Sequence, residues 1–138
     1  MCDCIFCKIS NGEIPSSTIY EDDTFRVILD LSPATKGHAL ILPKQHFRNI
    51  FDIDEATAAK VFVLAKKIAV AMKKTLNCDG VNIVQNNEAI AGQSVFHFHM
   101  HIIPRYENDG QEILWTPGTS EPEQLAKIAA SIAENIDK

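Results

Sequence analysis

Apolar and polar positions along this chain follow two periods, and the switches between them predict its elements. Thr18 to Asp22 and Thr24 to Leu29 are β-branched and aromatic runs meeting at Asp22-Asp23, which predicts two strands and a tight turn. A loop through Gly37 leads into His38-Ala39-Leu40-Ile41-Leu42, a third strand ended by Pro43. The period then changes. Val61, Phe62, Ala65, Ile68, Ala69 and Met72 recur at helical spacing, and Asp52 with Glu55 three residues on predicts a capping box ahead of them. This helix should run to about Leu76 and end at Asn77 and Gly80. Lys66, Lys67, Lys73 and Lys74 fall off the apolar stripe or near the helix's C-terminal end, as a solvated face would have them.

Val81 to Gln85 predicts a strand, and Asn86 to Ser94 a polar loop. From Val95 to Ile103 alternation is strict, with His97, His99 and His101 on one side and Phe96, Phe98, Met100 and Ile102 on the other. Glu107 to Thr119 reads as irregular. Ser120 with Glu123 predicts the cap of a final helix bearing Leu125, Ile128, Ala129, Ile132 and Ile136. A short helix over residues 4–12 should stop at Gly12. Strands grouped around one long helix, without βαβ alternation, predict an α+β domain with a mainly antiparallel sheet.

The 138 residues, 46% of them hydrophobic, suffice for one core and are few for two, so a single domain over 1–138 is expected. The longest apolar runs, Val61 to Ala65 and Ile68 to Met72, are far below the roughly 18 residues of a membrane span. No basic flank precedes an apolar stretch at the N-terminus, so a cytoplasmic location is the expectation. A net charge of −5 argues against binding a nucleic-acid polymer through its backbone. The four cysteines, three within the first seven residues, then read as thiols or metal ligands rather than disulfides.

Three readings suit the histidine run. The rings can be satisfied by local hydrogen bonds. They can hold a catalytic metal, although at about 3.4 Å per residue the outer two lie near 14 Å apart and at most two reach one ion. Or the middle ring attacks phosphorus, its second nitrogen held by a hydrogen bond that fixes the tautomer.

His97-Phe98-His99-Met100-His101-Ile102-Ile103 resembles the His-φ-His-φ-His-φ-φ signature of the histidine-triad (HIT) superfamily, φ being apolar. Cys4-Ile5-Phe6-Cys7-Lys8-Ile9, Asp30-Leu31-Ser32-Pro33, the segment Gly37 to His46, and Gly92-Gln93-Ser94-Val95 follow that family's order and approximate spacing, so the resemblance spans residues 4 to about 106. It implies a HIT-like fold, with a five-stranded sheet, one long helix and here a C-terminal helix. It also implies a nucleotide hydrolase or transferase acting at an α-phosphate through a nucleotidyl-histidine intermediate. His99 would be the nucleophile, His101 would bind phosphate, and Ser94 or His101 would help the leaving group. Asp30, beside Leu31 and Ser32, would grip the ribose hydroxyls. Asn86, Gln93 and Ser94 would lie near the phosphate, and His38 behind the nucleophile. Asp30 alone would also suit a turn start, and His38 a satisfied core histidine.

Cys4-x-x-Cys7 has the spacing of half a tetrahedral zinc site. By the resemblance, His46 and His97 complete a closed structural site; the alternative is a pair of thiols on a short helix. Cys2 and Cys78 fall outside that set. The resemblance also implies a homodimer joined through the long helix and an edge strand. Trp115 is similar to a C-terminal aromatic near the partner's site in some relatives, in a stretch that departs from theirs. Gln93-Ser94 resembles the purine nucleoside phosphoramidase branch, and Pro104-Arg105 the dinucleoside polyphosphate hydrolase branch. An adaptor that binds nucleotide without much turnover and a zinc-dependent hydrolase are the readings from other classes.

Overall fold

The computed structural model describes residues 3–137; Cys2 lies outside them. The expected turn joins β1 (Thr18–Glu21) to β2 (Phe25–Leu29). It is closed by Asp22, whose carboxylate accepts the backbone N–H groups of Thr24 and Phe25 at 2.8 Å each. β3 (Ala39–Pro43), β4 (Gly80–Val84) and β5 (Met100–Arg105) complete one sheet in the order β1-β2-β3-β5-β4, antiparallel at every pairing.

α2 (Glu55–Leu76) covers one face of this sheet. Its buried stripe, Val61, Leu64, Ala65, Ile68 and Met72, meets Phe25, Val27, Ile41, Met100 and Ile102 in the main core. The expected Phe62 is instead 59% exposed, and Leu64 takes its place because the apolar sector is rotated by one position. The cap differs too. Asp54, not Asp52, accepts the N–H of Thr57, while Asp52 accepts those of Arg48 and Asn49 and closes the preceding turn. At the other end Asn77 adopts the left-handed conformation, and Lys73 donates to the carbonyls of Cys78 and Asp79.

The opposite face carries α1 (Ile5–Ser10). Ile9 joins Ile28, Leu40 and Leu42 in a second cluster, with Phe6 and Ile14 packed against it. The sheet is thus buried on both sides where the histidines emerge.

The predicted strand from Val95 is shorter than its alternation implies. Regular pairing starts at Met100, opposite Ile41. Continuing that register would set Phe98 against Pro43, which has no N–H, and the Pro43 carbonyl is already taken by the His97 ring. Phe98 instead donates its N–H to Phe47. Side chains still alternate, with Phe98, Met100 and Ile102 in the core, but Phe96 turns outward under the Arg48 guanidinium, 4.4 Å from the ring centre.

The final helix, α3 (Pro122–Glu134), starts at Glu121 with Pro122 in its first turn, and no side chain caps it, so the Ser120–Glu123 box does not form. None of its residues is buried. Among the described residues no helix is long and apolar enough to cross a membrane.

Candidate active site and metal centre

A cavity of about 390 Å³ opens on the α1 face. Asp30, Leu31 and Ser32 from the loop after β2 line one side, Ser94 another, and His99 and His101 the floor. Phe6, Ile9, Ile14 and Leu40 make an apolar wall. The residue pattern did not mark Phe6 for this site. Its ring meets His99 edge-on, 4.9 Å between centres, and the signal available was its place on the turn between Cys4 and Cys7.

The ring protons follow from their partners. His99 Nδ1 lies 2.7 Å from the His97 carbonyl, which only accepts; Nδ1 therefore carries the proton and Nε2 keeps its lone pair. The N–H of Ala34 donates to His38 Nδ1 at 2.9 Å, so the His38 proton sits on Nε2 and is given to His101 Nδ1, also at 2.9 Å. That places the His101 proton on Nε2. One ring presents a bare nitrogen and its neighbour a hydrogen-bond donor, both fixed by backbone groups.

Burial lowers the proton affinity of all four rings. His97 and His101 are pushed down to about 4, His101 further disfavoured as a cation by His99 and His38 beside it. His99 and His38 are lowered by burial, with Asp30 partly opposing it. Near neutral pH His99 is uncharged, the state in which its nitrogen can attack. Asp30 uses one oxygen to accept the Ser32 N–H at 2.8 Å, the turn role that the sequence also allows, while the other lies 3.6 Å from His38.

His38, expected behind the nucleophile, sits behind His101, and Gln93 and Asn86, expected near the phosphate, are not among the residues that line the cavity. Gln93, 3% exposed, spends its side chain inward, donating to the carbonyls of Arg48 and Val95 and accepting from Glu88 N–H and the Asn49 amide. No phosphate contact is left to that amide in this arrangement, because a buried amide without partners is costly and the surrounding backbone supplies them. Asn86 lies against Gly92 and donates to its carbonyl. Gly92 has φ +96, and an added Cβ would come within 3.2 Å of the Asn86 amide.

Asn49 and Glu88 were missed by sequence reasoning. Asn49, 1% exposed, links Glu88 to Gln93, and Glu88 takes a two-pronged bond from Arg48. Together they buckle the loop before the histidines to the segment after β3. Arg105, the cue for a dinucleoside polyphosphate hydrolase, is held by Asp109, Asn82 and the Gln111 carbonyl, away from the cavity lining. It keeps the Asp109 carboxyl well below the usual carboxylate range.

Beside the cavity, Cys4, Cys7, His46 and His97 bring four ligand atoms within 4.8 Å of one another. His97 Nδ1 lies 3.5 Å from both sulfurs, and His46 Nδ1 3.3 Å from Cys7. A tetrahedral zinc ion with Cys and His ligands needs N–S edges of roughly 3.5 Å, so the four residues fit that ion. His97 donates Nε2–H to Pro43 at 2.8 Å, which leaves Nδ1 as the ligand nitrogen.

This antiparallel sheet, with histidines of one run lining the cavity beside it, is the architecture of a known class. A family model described as the HIT domain matches residues 11–108, and the chain belongs to that family. A HIT family structure from Bacillus subtilis superposes with a TM-score of 0.93 at 43% identity, over 99% of each chain. An adenosine 5'-monophosphoramidase of Schizosaccharomyces pombe is 35% identical over 96% of this chain and 98% of its own length. A zinc-bound histidine triad protein from Mycobacterium smegmatis aligns with a TM-score of 0.77 at 36% identity over 96% of each chain.

Proposed function

We propose that this chain, one HIT domain over residues 1–138, hydrolyses purine nucleoside phosphoramidates or related AMP conjugates at the α-phosphorus. The observation that carries this reading is His99, whose Nδ1–H is held on the His97 carbonyl while its Nε2 lone pair stands in a cavity shared with His101, Ser94 and Asp30. Asp30, with Leu31 and Ser32, receives the ribose, since a carboxylate accepts from two vicinal hydroxyls. Phe6, Ile9 and Leu40 give the base an apolar surface.

His99 Nε2 attacks phosphorus in line with the leaving nitrogen. The P–N bond breaks, its electron pair leaves with the amine, and the amine takes a proton from Ser94 or His101. Water then attacks the nucleotidyl-histidine, gives its proton back to that donor, and releases AMP with His99 neutral again. Where Ser94 supplies that proton, His101 keeps its Nε2–H and stabilises the charge on the non-bridging oxygens. Gln93 and Asn86 act through the loop they hold rather than by contact.

Cys4, Cys7, His46 and His97 would hold a zinc ion that ties α1 to the histidine run and has no open position for substrate. Such a thiol-rich set fits a reducing compartment, the cytoplasm. Following the family resemblance, the working unit is a homodimer.

Mass spectrometry of protein quenched during turnover of an AMP phosphoramidate tests the mechanism. Adenylated His99 is expected; an adduct elsewhere, or none under turnover, would sink it. Release of AMP from the phosphoramidate should also outpace release from diadenosine polyphosphates.

A further inference from the structure

One residue of the loop before the histidine run holds a backbone conformation that side chains disfavour. Glu88 has φ 76 and ψ 154, a region left almost entirely to glycine. A strained residue persists only where its neighbours fix it, and here they do. The Glu88 N–H donates to Gln93 Oε1 at 2.8 Å, and its carbonyl accepts the N–H groups of Ala91 and Gln93. Its carboxylate takes the Arg48 guanidinium at 2.7 and 3.3 Å and the Asn49 amide at 2.9 Å.

Two buried amides complete the frame. Asn49 gives its side-chain N–H groups to Glu88 and to Gln93 Oε1, and its oxygen accepts the Phe51 N–H. Gln93 donates to the carbonyls of Arg48 and Val95. Ser94 is therefore bracketed from both sides. The Gln93 N–H before it is tied to the Glu88 carbonyl, and the Val95 carbonyl after it is tied back to the Gln93 amide. Ser94 lines the cavity with His99 and His101, whereas Asn49, Glu88 and Gln93 are not among its lining residues. Backbone comfort alone would favour glycine at position 88; the glutamate keeps the strain and gains the carboxylate that Arg48 and Asn49 hold.

We propose that Asn49 and Glu88 are positioning residues that act through Gln93 to aim the Ser94 hydroxyl at the leaving group, so that Ser94 supplies its proton. The inference rests on the hydrolysis proposed above. As the P–N bond breaks, its electron pair leaves with nitrogen and the Ser94 hydroxyl proton goes to that nitrogen. The attacking water then returns a proton to Ser94. His101 keeps its Nε2–H for the phosphate oxygens.

Two substrates separate this role from a general loosening of the fold. An AMP alkylphosphoramidate releases a basic amine that must be protonated, whereas the p-nitrophenyl ester of AMP releases a phenolate that leaves without a proton. Single-turnover release of each leaving group is measured in the full chain. Glu88→Gly suits the backbone at that position, so it should fold while freeing the loop. Amine release should slow about 10–100-fold and phenolate release by less than about twofold. Asn49→Ala and Ser94→Ala should give the same split, and adding Glu88→Gly to Ser94→Ala should cost nothing further. Glu88→Gln, which keeps an oxygen for the Asn49 amide, should recover most of the rate. Equal slowing on both substrates overturns the proposal, as does an unchanged amine rate or an additive loss in the double variant. An unaltered chain that releases neither leaving group fails the hydrolysis reading, and this one with it.

Discussion

His99 and His101 are two residues apart and turn opposite nitrogens outward, a bare Nε2 on one and an Nε2–H on the other, because each ring's second nitrogen meets a different partner. A backbone carbonyl holds the proton of His99 on Nδ1, and the Ala34 N–H acts through His38 to hold that of His101 on Nε2. His99→Gly should therefore lower kcat by about a thousandfold or more while AMP affinity measured by calorimetry changes little. His38→Phe, which removes the donor fixing His101, should cost about 10–100-fold in kcat at similar KM. The same burial makes the fold sensitive to acid. His101 sits at about 4 in the fold against an ordinary value of 6.5, so an unfolded chain takes up this proton first as pH falls. The contribution to stability is whole above about 6.5 and is lost on the way down to about 4. Unfolding free energies from denaturant titrations at pH 7.5 and 4.5 should differ by on the order of 1–2 kcal/mol from this ring, allowing for solvent screening, and His101→Gln should narrow the gap.

At the scale of elements, α1 matters more than its six residues suggest. It brings Cys7 beside Cys4, His46 and His97 and Phe6 to the His99 ring, so the same helix supplies part of the candidate metal set and walls the cavity. Removing zinc should thus weaken AMP binding as well as lower the unfolding temperature, and Cys4→Ser with Cys7→Ser should match the chelated protein in both. Phe6→Ala should raise KM roughly tenfold with zinc retained, as loss of one apolar contact does. Retained AMP affinity in fully chelated protein would uncouple the helix from the pocket. The strands and α2 were legible in the periodicity of residues 18–29, 38–43 and 61–76. Their ends were not, because caps and ladders compete locally: Asp52 and Asp54 both suit a helix start, and only the turn at Arg48–Asn49 decides between them.

For the whole molecule, α3 leaves its apolar stripe, Leu125, Ile128 and Ile132, exposed among the described residues. Light scattering should give a two-chain mass for the homodimer proposed above, and a one-chain mass would rule that assembly out. Residue types, spacing and the family resemblance they carry were enough to determine the family, the α+β class, the histidine run and the four residues Cys4, Cys7, His46 and His97 that the fold brings together, because period-two and helical patterns and a fixed motif order are local properties of a chain. Only the tertiary structure decided that Gln93 faces inward, that Phe6 meets the His99 ring, and which nitrogen of each ring keeps its proton. Those outcomes depend on partners 45 residues from Gln93, 93 from Phe6 and 63 from His101. A side chain's hydrogen bonds are settled by what folding brings beside it, and no pattern along the chain carries that information.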